Sequence, residues 1–340
     1  METTRETAPL LSIITPVQNA APWLKDCIHS AQNQNFKDWE WIWVDDHSTD
    51  NSWELLQREA ALDSRIQVFR DTGKGIIPAL QQALQKCGGT YVTRMDADDI
   101  MPARRLSIMV NALQQAAPQT IVTGPVKYFP RETLGDGYRQ YEKWLNQVVS
   151  TQSFGENMYR ECVVASPNWM MRRQDLLDIG GFDGLEYPED YDLTFRWYRH
   201  GFQFKAVDAV TLHWREHPQR TSRNSDHYSQ EAFFRLKIKR FVELEKTAGR
   251  DIAIWGDGTK ARLAAKTLRE LEVPFIWMVL NPEKYPNGIE RQPVQSFRDT
   301  PSLNHPLVLL TVYPPEPQKH EMESFLAQNS LKAGRDYWYL

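Results

Sequence analysis

Three of the four residues in Asp96-Ala97-Asp98-Asp99 are carboxylates, and they follow directly on the β-favouring run Thr90-Tyr91-Val92-Thr93-Arg94-Met95. Carboxylates held that close repel one another and raise each other's pKa unless a cation joins them. A hard divalent ion, Mg2+ or Mn2+, suits oxygen donors and also binds phosphate oxygens. A second acidic group, Glu189-Asp190 with Asp192 two residues on, could supply a general base whose pKa is lifted by its neighbour. The plainer reading of Glu189 to Asp192 is an acidic start to a helix over 191–199, favoured by the helix dipole; one side chain can do both. Alone, the first turn reads first as solvated acidic surface, so the elements around it decide.

Those elements alternate. Residues 10–15 form a short β-rich run closed by Pro16, and 21–34 carry helical spacing. Residues 39–44 read as a strand ending at Asp45-Asp46, 52–62 as a helix, 66–69 as a strand and 76–86 as a helix. Gly88-Gly89 then breaks the chain before the strand that runs into Asp96. Strands alternating with helices of this length predict βαβ units and a largely parallel sheet. Ligands bind such sheets beyond the carboxyl ends of the strands. Thr15-Pro16, Asp45-Asp46 and Asp96 to Asp99 therefore share one rim.

The chain's 340 residues allow about two domains. A net charge of −4 gives no argument for nucleic-acid binding. Cys27, Cys87 and Cys162 are scattered and odd in number, which predicts core residues rather than a disulfide framework or zinc site. The first eight residues are polar, unlike a signal peptide, and no apolar run approaches the ~20 residues of a membrane helix. The expectation is a cytoplasmic protein, with peripheral contact at the inner membrane face left open.

Several motifs in order carry a resemblance. Ser12-Ile13-Ile14-Thr15-Pro16-Val17-Gln18-Asn19, then Val44-Asp45-Asp46-His47-Ser48-Thr49-Asp50, then Arg94-Met95-Asp96-Ala97-Asp98-Asp99 resemble a family 2 glycosyltransferase of the GT-A fold. Gly180-Gly181-Phe182-Asp183 and Pro188-Glu189-Asp190-Tyr191-Asp192-Leu193 are similar to that family's acceptor-side motifs, and the likeness covers residues 9–225. The resemblance implies a nucleotide-sugar-binding mixed sheet flanked by helices. It implies that Thr15, Pro16 and Asp46 line the nucleotide pocket, with Asp46 accepting a hydrogen bond from the base. Asp96 would face ribose and metal, Asp98 would hold Mg2+ or Mn2+ against the diphosphate, and Asp190, beside Glu189, would be the catalytic base. His217 would complete the metal shell, with Arg220 and Arg223 on phosphate; a solvated loop around a packed Trp214 explains that stretch as well. Arg70 and Lys74 could meet phosphate or be surface charges. Val17 departs from the family, standing where an aromatic residue is common, and so does Gln81, standing where asparagine is usual.

Residues 124–165 are rich in aromatics, among them Tyr128, Tyr138, Tyr141 and Trp144. Core packing is the favoured account, and a stacking lid for an acceptor sugar the alternative. A connecting helix is predicted over 226–246, within a division into 1–225, 226–249 and 250–340. The last part opens strand, Gly256-Asp257-Gly258-Thr259-Lys260-Ala261, helix, strand: the pattern of a small Rossmann-like α/β domain. The acidic residue that would hold a ribose is replaced by Asn281-Pro282, which favours a structural or assembly module over an NAD site.

Three functions are weighed. The leading one transfers a sugar, by resemblance from a UDP-sugar, to a carbohydrate or lipid-linked acceptor with inversion, in glycan or surface polysaccharide synthesis. A nucleotidyltransferase-like protein would need a Gly-rich, Arg-containing loop after the first strand, which Thr15 to Asn19 does not supply. A nucleotide-binding regulatory protein would centre on the Gly256 loop.

Overall fold

The computed structural model describes residues 8–130, 132–245 and 247–340; the polar residues 1–7 and Lys246, the expected end of the connecting helix, lie outside them. The chain divides into two units. The first comprises Met1–Gln152, Val163–Leu185 and Glu189–Arg220, and the second Ser153–Cys162, Glu186–Pro188 and Thr221–Leu340.

Among the described residues, the first unit holds nine strands: β1 (Leu11–Val17), β2 (Trp39–Asp45), β3 (Ile66–Arg70), β4 (Tyr91–Arg94), β5 (Thr120–Thr123), β6 (Val126–Phe129), β7 (Trp169–Arg172), β8 (Gln203–Ala206) and β9 (Leu212–Arg215). Seven of them build one sheet in the order β3-β2-β1-β4-β7-β5-β8. β1 to β4 pair in parallel, as the alternating pattern requires, and β7 runs antiparallel to β4 and β5. β6 and β9 form a separate parallel ribbon, tied to the acidic turn by a bridge between Ile100 and His213.

Every residue of β2 is buried, so this strand is covered on both faces. Trp39, Trp41 and Trp43 share one face by the two-residue period of a strand, with the Trp41 and Trp43 rings 4.6 Å apart. Trp41 Nε1 donates to Thr15 Oγ1 (2.9 Å), and that hydroxyl donates to the Met95 carbonyl (2.7 Å), stitching β2, β1 and the end of β4 together.

β1 does not stop at Pro16 but runs on to Val17. Its pairing with β4 ends at Ile14–Arg94, while its pairing with β2 continues to Val17–Asp45. Pro16 thus sits where only one neighbour remains, a position that tolerates a missing N–H. The aromatic stretch contributes to the core: Tyr128, Leu134 and Leu145 are buried in it, with Tyr138, Tyr141 and Trp144 packed against them. These rings pack on the core, as the favoured account expects.

In the second unit β10 (Ile252–Trp255), β11 (Ile276–Val279), β12 (Val294–Ser296), β13 (Leu307–Leu310) and β14 (Tyr337–Tyr339) pair in parallel in the order β12-β11-β10-β13-β14. The order reverses between β10 and β13, as in doubly wound sheets. Gly256 ends β10 at φ 136°, and a Cβ there would lie 2.3 Å from Thr311 Oγ1. The expected long helix is divided: Asp226–Tyr228 is a 3-10 turn, and Ser229, whose Oγ accepts from Ala232 N, caps the helix Gln230–Leu244. Tyr159 packs edge-on against both Phe241 and Trp338, joining Ser153–Cys162 to this unit.

Candidate active site

Four strand ends and the helix Glu189–Arg199 bring acidic groups to one rim of the first unit. At the end of β4 the chain turns so that Asp98 Oδ2 lies 2.8 Å from His217 Nε2, just past β9. The imidazole stacks on Trp23 with ring centroids 3.9 Å apart, and its Nδ1 is buried without a protein partner. Arg215 fastens the turn from behind. Its backbone N–H donates to Asp99 Oδ1 (2.7 Å) and its Nε to the Asp98 carbonyl (2.6 Å). Asp99 is buried and its Oδ2 finds no protein donor.

This crowding has electrostatic consequences. Burial, then the charges of Asp98 and Asp96, push the Asp99 carboxyl well above the carboxylate range. Burial raises Asp96 too, against the pull of Arg94. The Cys27 thiol beneath the turn, donating to the Asp96 carbonyl at 3.4 Å, is raised by burial and by the same three carboxylates. Arg105, fully buried, donates to Thr93 Oγ1, Arg94 O and Pro167 O under the turn, and burial lowers its guanidinium to about 10. An anionic pocket of this kind, presenting one carboxylate and one imidazole, has the donor chemistry of an oxygen- and nitrogen-liganded divalent cation.

Asp96 does not join that pair. Its Oδ1 accepts from Arg94 Nε (2.8 Å), the nearest opposite charge. Among the described residues no group of three or more His, Cys, Asp and Glu side chains is arranged to hold a metal ion. The trio Asp96, Asp98 and His217 expected from sequence is thus a pair, Asp98 and His217, with Asp96 turned to a cation of the protein.

Arg94 reaches further. Its Nη1 donates to Glu189 Oε1 (3.0 Å), and both residues are buried. Glu189 starts the helix whose second residue is Asp190, half-buried, with its Oδ1 accepting the Tyr191 N–H (2.8 Å). Burial first, and Glu189 second, raise the Asp190 carboxyl to about 7. A carboxyl at that value can exchange a proton near neutral pH.

The other expected residues occupy the same rim in different states. Thr15 is fully buried with its hydroxyl committed to Trp41 and Met95, so the backbone is what it offers a ligand. Pro16 is half-buried beside it. Asp46 is buried, with Oδ2 accepting from Gln18 Nε2 (3.2 Å) and Oδ1 facing His47 Nδ1 (3.2 Å). Arg70 bonds Asp45 Oδ2 (2.5 Å) and lies over the Trp53 ring, and Lys74 is exposed in the turn before the helix Ile76–Lys86. Arg220 pairs with Glu216 (3.1 Å) and covers Trp214; Arg223 is exposed on the second unit. Sequence reasoning passed over Asp71, buried at the end of β3 with Oδ2 bare, and Trp23, whose stacking on His217 no local pattern announces. Among the described residues no helix is long and apolar enough to cross a membrane.

Residues 12–180 match the family model described as glycosyl transferase family 2. A segment of 92 residues is 40% identical to the putative teichuronic acid biosynthesis glycosyltransferase TuaG of Bacillus subtilis (strain 168), covering 27% of this chain and 36% of that protein. The uncharacterized glycosyltransferase EpsJ of the same organism is 23% identical over 216 residues, 62% of each chain. The chain thus spans about a third of one curated relative and three fifths of the other. The crystal structure of S. aureus TarS 1-349 in complex with UDP-GlcNAc superposes with a TM-score of 0.51 at 16% identity, over 76% of this chain and 71% of that one. That likeness is one of fold.

Proposed function

Residues 12–180 make this chain a member of glycosyl transferase family 2, and from that premise we propose that it moves a sugar from a UDP-sugar to a hydroxyl of a carbohydrate or lipid-linked acceptor. The mixed sheet is that of the GT-A fold. The relatives' names point to surface polysaccharide assembly as the setting. The observation that carries the reading is the convergence of Asp98 and His217 on a rim that also holds a proton-exchanging carboxyl, Asp190.

Asp98 and His217 fit a divalent cation, Mg2+ or Mn2+, with Asp96 alongside. Such an ion, when bound, offsets negative charge on a departing diphosphate. The chain's own groups do the rest. Asp46, with Thr15 and Pro16 beside it, would meet the nucleotide, and Arg70, Lys74 and Arg220 would meet its phosphates. The acceptor oxygen attacks the anomeric carbon while the bond from that carbon to the phosphate oxygen breaks. The acceptor's proton passes to Asp190, and UDP leaves. One base and one displacement give inversion.

Calorimetric titration with UDP, TDP, GDP and NAD, each with Mn2+ and with EDTA, tests the donor side. Mn2+-dependent UDP binding that Asp98→Ala abolishes is the expected result. Binding of NAD without metal, or of no nucleotide, would overturn it. NMR of the product anomer tests the stereochemistry, and net retention would remove the single displacement.

A further inference from the structure

Arg94 is 4% exposed, yet it carries a full positive charge into the sheet. A guanidinium so placed requires compensation by hydrogen-bonded anions. Two carboxylates that it bonds stand on different elements. Nε serves Asp96 at the end of β4 (2.8 Å), and Nη1 serves Glu189 at the start of the helix Glu189–Arg199 (3.0 Å). The planar fork of an arginine spans two carboxylates at fixed separation, which a lysine's single ammonium does not.

We propose that Arg94 is a positioning residue that clamps the donor-side carboxylate Asp96 to the acceptor-side Glu189, and so sets the Asp190 carboxyl in place against the metal-side turn. This rests on the reading of Asp190 as the base and Asp96 to Asp98 as the donor side. Among the described residues, the charges that act most on Asp190 are Glu189 on its own helix and Arg94 and Asp96 on the end of β4. Of these three, Arg94 is the cation. Without it the Asp96, Glu189 and Asp190 carboxylates lose the guanidinium that offsets their mutual repulsion, and Asp190 holds its proton more tightly.

Because donor and acceptor are unidentified, the test reads the carboxyl directly. Protein labelled with carbon-13 at aspartate carboxyl carbons is titrated by NMR, and Asp190→Asn assigns the signal. The wild-type midpoint is expected near 7. Arg94→Met should raise it by roughly 1–3 units, and Arg94→Lys should bring it part of the way back. A midpoint unmoved in Arg94→Met overturns the proposal. Should Arg94→Met not fold, Arg94→Met/Glu189→Gln is compared with Glu189→Gln alone. The same upward shift is expected between those two, and its absence overturns the proposal. Titration of each folded protein with UDP and Mn2+ separates the two ideas. A wild type that binds no UDP would overturn the functional reading and Arg94's part in it. Normal UDP binding with an unmoved midpoint would overturn the clamp alone.

Discussion

Asp98 Oδ2 and His217 Nε2 stand 2.8 Å apart across 119 residues of chain, joining the turn after β4 to the turn after β9. Neither belongs to a strand, and each is held by something else. Arg215 ties down the Asp98 backbone, and Trp23 supports the imidazole from its face.

The first prediction follows from that support. His217→Ala should weaken Mn2+ binding in the presence of UDP more than Trp23→Ala does. Trp23 orients a ligand without supplying one, and losses of roughly 10–100-fold are usual for such partners. Calorimetry on both variants checks the order, and a larger loss for Trp23→Ala would reverse the assignment.

A second prediction concerns pH. Asp190 has an ordinary value near 3.8 raised to about 7 by burial and by Glu189. The base must be ionised, so kcat/KM for transfer should climb as pH rises through about 7 and level off above it. Stability runs the other way. Between about 4 and 7 the unfolded chain releases this proton while the folded chain retains it, so the contribution of Asp190 to stability falls over that window and is constant above it. Asp190→Asn should flatten both profiles and lower kcat by roughly 10²–10⁴-fold.

How much of this was legible depends on whether a residue's role was local. The strand ends carrying Asp46 and Asp98 follow from a two-residue period, a turn and the rule for parallel sheets, and they appear where that reasoning places them. Pro16 was misread as a stop because a proline's cost depends on which neighbour strand is present, and that is set by where β4 ends. The bond from Arg94 to Asp96 was not legible, because Arg94 is engaged in turn by a helix 95 residues away. Trp23 stacking on His217 is a purely tertiary event.

A third prediction separates architecture from ligand contact at Thr15. Thr15→Val keeps shape but leaves Trp41 Nε1 and the Met95 carbonyl without their shared hydroxyl in a fully buried place. Unpaired buried groups of this kind cost roughly 1–3 kcal/mol each. Denaturant unfolding should show that loss while the UDP affinity of the folded fraction changes little. A selective loss of UDP affinity at unchanged stability would put the hydroxyl on the ligand instead.

The second unit allows a sharper contrast, because two glycines in one loop have opposite surroundings. Gly256 has φ 136°, and a Cβ there would meet Thr311 Oγ1 at 2.3 Å and Val312 Cγ1 at 2.9 Å. Gly258, two residues on, has φ −83° and open space within 4 Å of where its Cβ would stand. Backbone strain alone at the first position costs roughly 1–3 kcal/mol, and the steric conflict with β13's continuation adds to it. Gly256→Ala should therefore lower the unfolding midpoint of this unit clearly, and Gly258→Ala should leave it within about 0.5 kcal/mol of the parent. If Gly258→Ala proved as damaging as Gly256→Ala, the loop would have to adopt another conformation, and the close approach of β10 to β13 would no longer explain why glycine stands at position 256.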